Sequence, residues 1–163
     1  MAPKPDWTAR TPIKPAPAKG MLSNNFSLAE FIESDTAMRR GIKNVPSAKV
    51  LARLRNTAEQ MEKVRDILGD VSIRVTSGFR SAALNAAVGG SPTSDHIDGD
   101  ACDFQAPAFG PPINICHAIV KSGLRFDQLI EEGTWCHISF GPRMRQQVLT
   151  MRRGKYFNGL RPL

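Results

Sequence analysis

His96, Asp103 and His137 constrain the fold of this chain more than any other residues. The first two close the run SGFRSAALNAAVGGSPTSDHIDGDACD, which extends from Ser77 to Asp103, and the third belongs to the later segment Trp135-Cys136-His137. His96 and Asp103 bracket a short loop holding Gly99, and His137 lies in a separate apolar stretch. Two imidazoles and one carboxylate form a three-donor set. Around a tetrahedral zinc they leave one position open, as hydrolytic zinc requires, whereas a structural site is closed by a fourth ligand, usually cysteine. A fold that uses this set must bring a loop, a strand and a hairpin to one point, and metal bound there would hold the fold together as well. His117 has no such company and is read as an ordinary helix-face residue.

The local patterns supply those elements. Ser27 followed by Glu30 fits a capping box opening a short helix through Ile32. Ser34 or Asp35 can cap a second helix that stops at Gly41. After Pro46, Val50, Leu51, Leu54, Ala58, Met61, Val64, Ile67 and Leu68 recur at helical spacing until Gly69, which predicts the long core helix. Val71, Ile73 and Val75 alternate with polar residues, predicting a strand that delivers Ser77-Gly78-Phe79-Arg80 at its end. Residues 81–87 read as a short helix and 89–92 as a sharp loop. Ala101 to Gln105 reads as a strand, Pro112 to Ser122 as a helix, and 126–131 with 135–140 as a hairpin around Glu132-Gly133-Thr134. This order predicts an α+β domain, with helices packed on a mainly antiparallel sheet.

A chain of 163 residues with 41% hydrophobic content suits one domain with one core. The expected division is a flexible, Pro/Lys-rich N-terminal arm over 1–24 and a single catalytic domain over 25–163. The start of the chain lacks the apolar core of a secretory signal, and no stretch approaches the ~20 apolar residues needed to span a bilayer. Synthesis as a cytoplasmic protein, and a monomer, is the expectation. A net charge of +7 favours anionic partners. No aromatic-basic motif or known module accompanies that charge, so nucleic acid is not an expected partner. Cys102, Cys116 and Cys136 are odd in number and form no CxxC pair, which argues against a disulfide framework. Strand alternation turns Cys102 and Cys136 away from their neighbours Asp103 and His137, so both are expected to be buried and inert.

Arg80 within Ser-Gly-Phe-Arg-Ser, Leu84-Asn85, Val88-Gly89-Gly90-Ser91, the run Ser94-x-His96-x-x-Gly99-x-Ala101-x-Asp103 and Trp135-x-His137 together resemble the zinc D-Ala-D-Ala carboxypeptidase and murein endopeptidase family. That family includes phage endolysins and shares its fold with the hedgehog signalling domain. The resemblance implies one Zn2+ per chain, held by His96, Asp103 and His137, and peptidoglycan stem peptides as substrate. It also implies that Arg80 grips a substrate carboxylate, a role that its two-pronged guanidinium suits. Ser94 is expected to orient Asp103 or contact substrate.

The general base is less directly marked. Many family members carry an acid three positions before the last histidine, and Thr134 stands there instead. The run Gln128-Leu129-Ile130-Glu131-Glu132 resembles the phage branch and points to Glu132; simple parity from His137 makes Glu131 the fallback. Past Phe140 the chain carries Arg143, Arg145, Arg152, Arg153, Lys155 and Arg161. They read as a solvated basic face around a small strand that closes the sheet, with contact to anionic envelope polymers as the functional alternative. The resulting expectation is a zinc-dependent peptidoglycan peptidase, a phage or prophage endolysin that reaches the wall after membrane permeabilisation. The alternatives are a D-Ala-D-Ala carboxypeptidase and a non-catalytic, zinc-stabilised wall-binding domain.

Overall fold

The computed structural model describes residues 18–162. Most of the expected N-terminal arm, residues 1–17, therefore lies outside the described residues. The boundary drawn at residue 24 moves, however. Leu22 is buried in the core, Met21 bridges to Ser27, and the Ser23 hydroxyl donates to Glu62 Oε1 at 2.6 Å. The buried side chain, the bridge and the hydrogen bond together tie this segment to the domain.

The first two helices form as their caps dictate. Helix α1 (Leu28–Ile32) has the full reciprocal capping box between Ser27 and Glu30, and α2 (Asp35–Arg40) is capped by Ser34 and ends at Gly41 in the left-handed conformation. Helix α3 (Ala48–Ile67) starts two residues after the expected Pro46, capped by Ser47, and buries Leu54, Thr57, Ala58, Met61 and Val64 along one face. No helix among the described residues is long and apolar enough to cross a membrane.

Among the described residues six strands make one sheet. They are β1 (Arg74–Ser77), β2 (Ala101–Gln105), β3 (Gln128–Glu131), β4 (Cys136–Ser139), β5 (Gln147–Arg152) and β6 (Lys155–Asn158), in the spatial order β1-β2-β4-β3-β5-β6. Every neighbouring pair is antiparallel except β3 and β5. The α+β class with a mainly antiparallel sheet is thus as expected. Two details differ: β1 begins only at Arg74, and the closing strand is a hairpin of two. Between the strands lie α4 (Ala82–Ala87), α5 (Asp95–Asp98) and α6 (Pro112–Ser122).

The core occupies one face of the sheet. Phe31, Leu54, Met61, Phe104, Ile115, Ile119, Leu129 and Ile138 pack there, joined by all three thiols. Cys116 and Cys136 approach to 3.6 Å between their sulfurs. Burial pushes the Cys102 thiol up, and contact with Cys116 together with burial does the same for Cys136. Both are turned from the opposite face, as alternation requires.

Candidate metal centre

The side of the sheet away from the core carries a cleft of about 580 Å³, and His96, Asp103 and His137 all line it. Asp103 and His137 are direct partners across β2 and β4, so their side chains emerge on the same face. His96 arrives from the other direction. The loop expected to carry it contains the single turn α5, capped by Ser94 and stopped by Gly99 at φ 79°. Glycine is required at that stop: a Cβ would meet Val50 and its carbonyl at 3.0 Å, so the turn can sit directly on α3. The Thr57 hydroxyl secures it by donating to the Gly99 carbonyl at 2.7 Å.

A second close approach fixes the imidazole. Gly78 lies against α1, where a Cβ would fall 2.5 Å from the Phe31 carbonyl oxygen. Its own carbonyl then meets His96 Nδ1 at 2.6 Å. With Nδ1 donating there, Nε2 is left to face Asp103 Oδ1 at 3.2 Å. His137 turns Nδ1 to the same oxygen at 2.8 Å, and the two rings stand 5.1 Å apart between centroids. One donor atom from each residue lies within 4.8 Å of the others, and all three residues are buried. Edges of about 3.3 Å are expected between ligands of a tetrahedral ion bonded at ~2.0–2.1 Å, so little adjustment is needed to hold one.

The electrostatics agree with a cation site. Burial opposes ionisation of Asp103, yet the charge and hydrogen bonds of the two imidazoles override it and hold the carboxyl well below the usual carboxylate range. Burial likewise pulls His137 down, but its hydrogen bond to Asp103 prevails and raises it. A proton and a metal ion compete for that nitrogen.

Arg80 lines the cleft but is not free in it. Its Nη2 donates to Asp103 Oδ2 at 2.9 Å and its Nε to Ser77 Oγ at 3.0 Å, so it orients the carboxylate as well as offering charge to a ligand. Ser94 does not hold Asp103. It borders the cleft and spends its oxygen on the His96 amide at 3.3 Å.

The two candidate acids separate cleanly. Glu132 lines the cleft, and burial, with the charge of Asp103, raises its pKa. Glu131 lies on the other face. The register pairs Ile130 with His137 and Glu131 with Cys136, so the parity argument for Glu131 fails because the hairpin register, not residue number, sets the facing pairs. Glu131 Oε2 meets Arg152 Nη2 at 2.5 Å, and Oε1 accepts from the Gly133 amide at 2.7 Å, bracing the turn that carries Glu132.

The C-terminal arginines are mostly committed within the chain. Arg145 forks onto Asp127 through Nε and Nη2, both at 2.8 Å. Arg143 reaches Asp95 and Asp127, and Arg161 lies over the Phe157 ring. Only Arg153 and Lys155 of the expected basic face stand exposed without such a described role. Sequence reasoning missed that Arg143 and Arg145 line the cleft. The signal was Asp127, a lone acid at the start of a buried strand.

The chain is 34% identical over 86 residues to a zinc D-Ala-D-Ala carboxypeptidase of Streptomyces albus G, a stretch covering 53% of this chain and 33% of that protein. It thus spans about a third of the length of the curated relative it matches. The family description "Peptidase M15" matches residues 24–139, which include α1 to β4 and all three donor residues. By that match the chain belongs to the peptidase M15 family.

Proposed function

We propose that the protein is a zinc-dependent peptidase acting on the peptide stems of bacterial peptidoglycan. The observation that carries this reading is the His96–Asp103–His137 set on the floor of a cleft that also exposes Glu132 and Arg80. Bound zinc would supply Lewis acidity, polarising the scissile carbonyl and making water nucleophilic near neutral pH.

The chain's own groups supply the rest. Glu132 takes the proton of the attacking water and returns it to the leaving amine; its raised pKa brings it closer to the working pH of a base that must also act as an acid. Arg80 fixes Asp103 and directs its remaining charge at a substrate carboxylate. His96 is held by Gly78 in the orientation that leaves Nε2 for the metal.

The finer reading is endopeptidic, as in a phage endolysin. Support comes from the lining of the cleft, which includes Gly89, Ser91, Gln147 and Tyr156 besides the donor set, a wall large enough to contact residues on both sides of a scissile bond. Removal of a terminal D-alanine is the second reading, favoured by the activity named for the Streptomyces relative.

Digestion of intact sacculi with mass analysis tests both. Zinc-dependent loss of turbidity with new amino termini on stem peptides is the expected result. Free D-alanine as the sole product, with turbidity unchanged, would leave the carboxypeptidase reading standing. Zinc binding without any turnover would favour a wall-binding domain.

A further inference from the structure

The segment joining β4 to β5 has an unusual backbone. Met144 (φ 43°) and Gln146 (φ 55°), both non-glycine residues, adopt the left-handed region on either side of Arg145. Residues of this kind persist where surroundings over-determine them, and such places cluster at binding sites. Here the surroundings are explicit. Gln146 exchanges hydrogen bonds with the Phe126 backbone, at 3.1 Å through its amide and at 2.6 Å through Oε1. Arg145 contributes its backbone amide as well as its guanidinium to Asp127, which is fully buried.

This anchoring leaves Arg143 in a different situation from Arg145. Its Nη2 contacts are longer, 3.2 Å to Asp95 and 3.4 Å to Asp127, and its side chain is 53% exposed. Asp127 already accepts three shorter hydrogen bonds from Arg145, and Asp95 immediately precedes the donor His96. Arg143 therefore lines the same cleft as the donor set, with donors to spare on a five-donor group. Arg80, by contrast, has Nε and Nη2 bound to Ser77 and Asp103.

We propose that Arg143 forms a second carboxylate-binding subsite in the cleft, separate from Arg80, which grips a free carboxylate of the stem peptide away from the scissile bond. The inference rests on the peptidase reading and narrows its substrate to stems that keep that carboxylate un-amidated. The anchored Arg145–Asp127 pair is the base on which Arg143 is presented, and the left-handed residues are what bring both arginines to the cleft wall.

The test is binding to the zinc-loaded Glu132→Gln protein, measured by calorimetry. The probes are a synthetic stem peptide and copies in which each carboxylate in turn is a primary amide. One amidation is expected to weaken binding about 10-fold or more, since charge-assisted bidentate contacts are lost, and that gap should shrink to about twofold or less when Arg143→Gln is added. Arg143→Lys should restore only part of it, because a point charge replaces a fork.

A gap that survives Arg143→Gln would assign the carboxylate to Arg80 and overturn the proposal, as would equal binding of all the peptides. Turnover of the same peptides by the protein with Glu132 intact separates the two levels. Hydrolysis with no acid-over-amide preference removes the subsite and leaves the peptidase reading. A preference abolished by Arg143→Gln in a protein that hydrolyses none of them removes the peptidase reading and leaves the subsite.

Discussion

Asp103 on β2 and Asp127, just before β3, are both buried carboxylates, and both are held ionised by cationic partners. Their partners differ in kind. Asp127 is enclosed by two guanidiniums and an amide, groups that never give up their protons at ordinary pH. Asp103 also has a guanidinium, that of Arg80 on Oδ2, but it shares Oδ1 with two imidazoles, a kind of group that can offer a nitrogen lone pair to a metal ion. Burial and charge alone would rank the two sites together. The acid–base chemistry of the neighbours separates a closed structural site from an open reactive one.

The strongest way to break this contrast is through metal content. His96→Ala and His137→Ala should each lower bound zinc from one per chain to less than about a tenth and abolish turnover, whereas Asp127→Asn should keep its zinc. Full occupancy after loss of either histidine, read by atomic emission on dialysed protein, would mean that the open site has been drawn around the wrong residues.

Replacing the base should be nearly as severe for rate and harmless to the metal. Glu132→Gln is expected to lose about 10²–10⁴-fold in kcat with zinc retained. An unimpaired Glu132→Gln would require another group in the cleft to move the proton.

Asp127→Asn sharpens the structural half. Removing the charge from a buried, doubly bound carboxylate should cost about 3 kcal/mol in denaturant unfolding. The sign of the pH effect follows from its depressed pKa of about 2 against an ordinary 3.8. The stabilisation is complete above the ordinary value and disappears as pH falls through about 2, so the variant's deficit should shrink between about pH 4 and pH 2. A deficit independent of pH in that window would show that Asp127 contributes by packing instead.

The smallest effect is expected at Glu131→Gln. Glutamine can still accept from the Gly133 amide, so the turn carrying Glu132 should survive with less than about a tenfold loss in kcat. A larger loss than that of Glu132→Gln would reverse the assignment of the two acids to their faces.

Much of this was legible from residues alone. The donor set could be read because His96, Asp103 and His137 carry their chemistry in their side chains, and the cap at Ser27 because capping is local; for the second helix the pattern left Ser34 and Asp35 open, and the structure uses Ser34. What failed depended on distant partners. The short helix α5 escaped because four residues show no periodicity. The face of Glu131 could not be had from counting, since only the pairing of Ile130 with His137 decides it. Arg143 and Arg145 looked like a solvated face because their acid, Asp127, meets them only once β5 lies parallel to β3. Leu22 looked like part of an arm for the same reason: its neighbours belong to a core assembled much later in the chain.

The direct pairing of Asp103 with His137 has a consequence for folding fidelity. On β2 and β4 each donor is flanked by a thiol that faces the core, Cys102 beside Asp103 and Cys136 beside His137. A strand displaced by one residue would swap donor for thiol, burying a charge and exposing sulfur to the cleft. Only the native alignment presents both imidazoles and the carboxylate together, so an ion that selects this set rewards correct strand pairing over its nearest error. The metal centre can thus act as a proofreader of β-sheet alignment during assembly, before it meets any substrate.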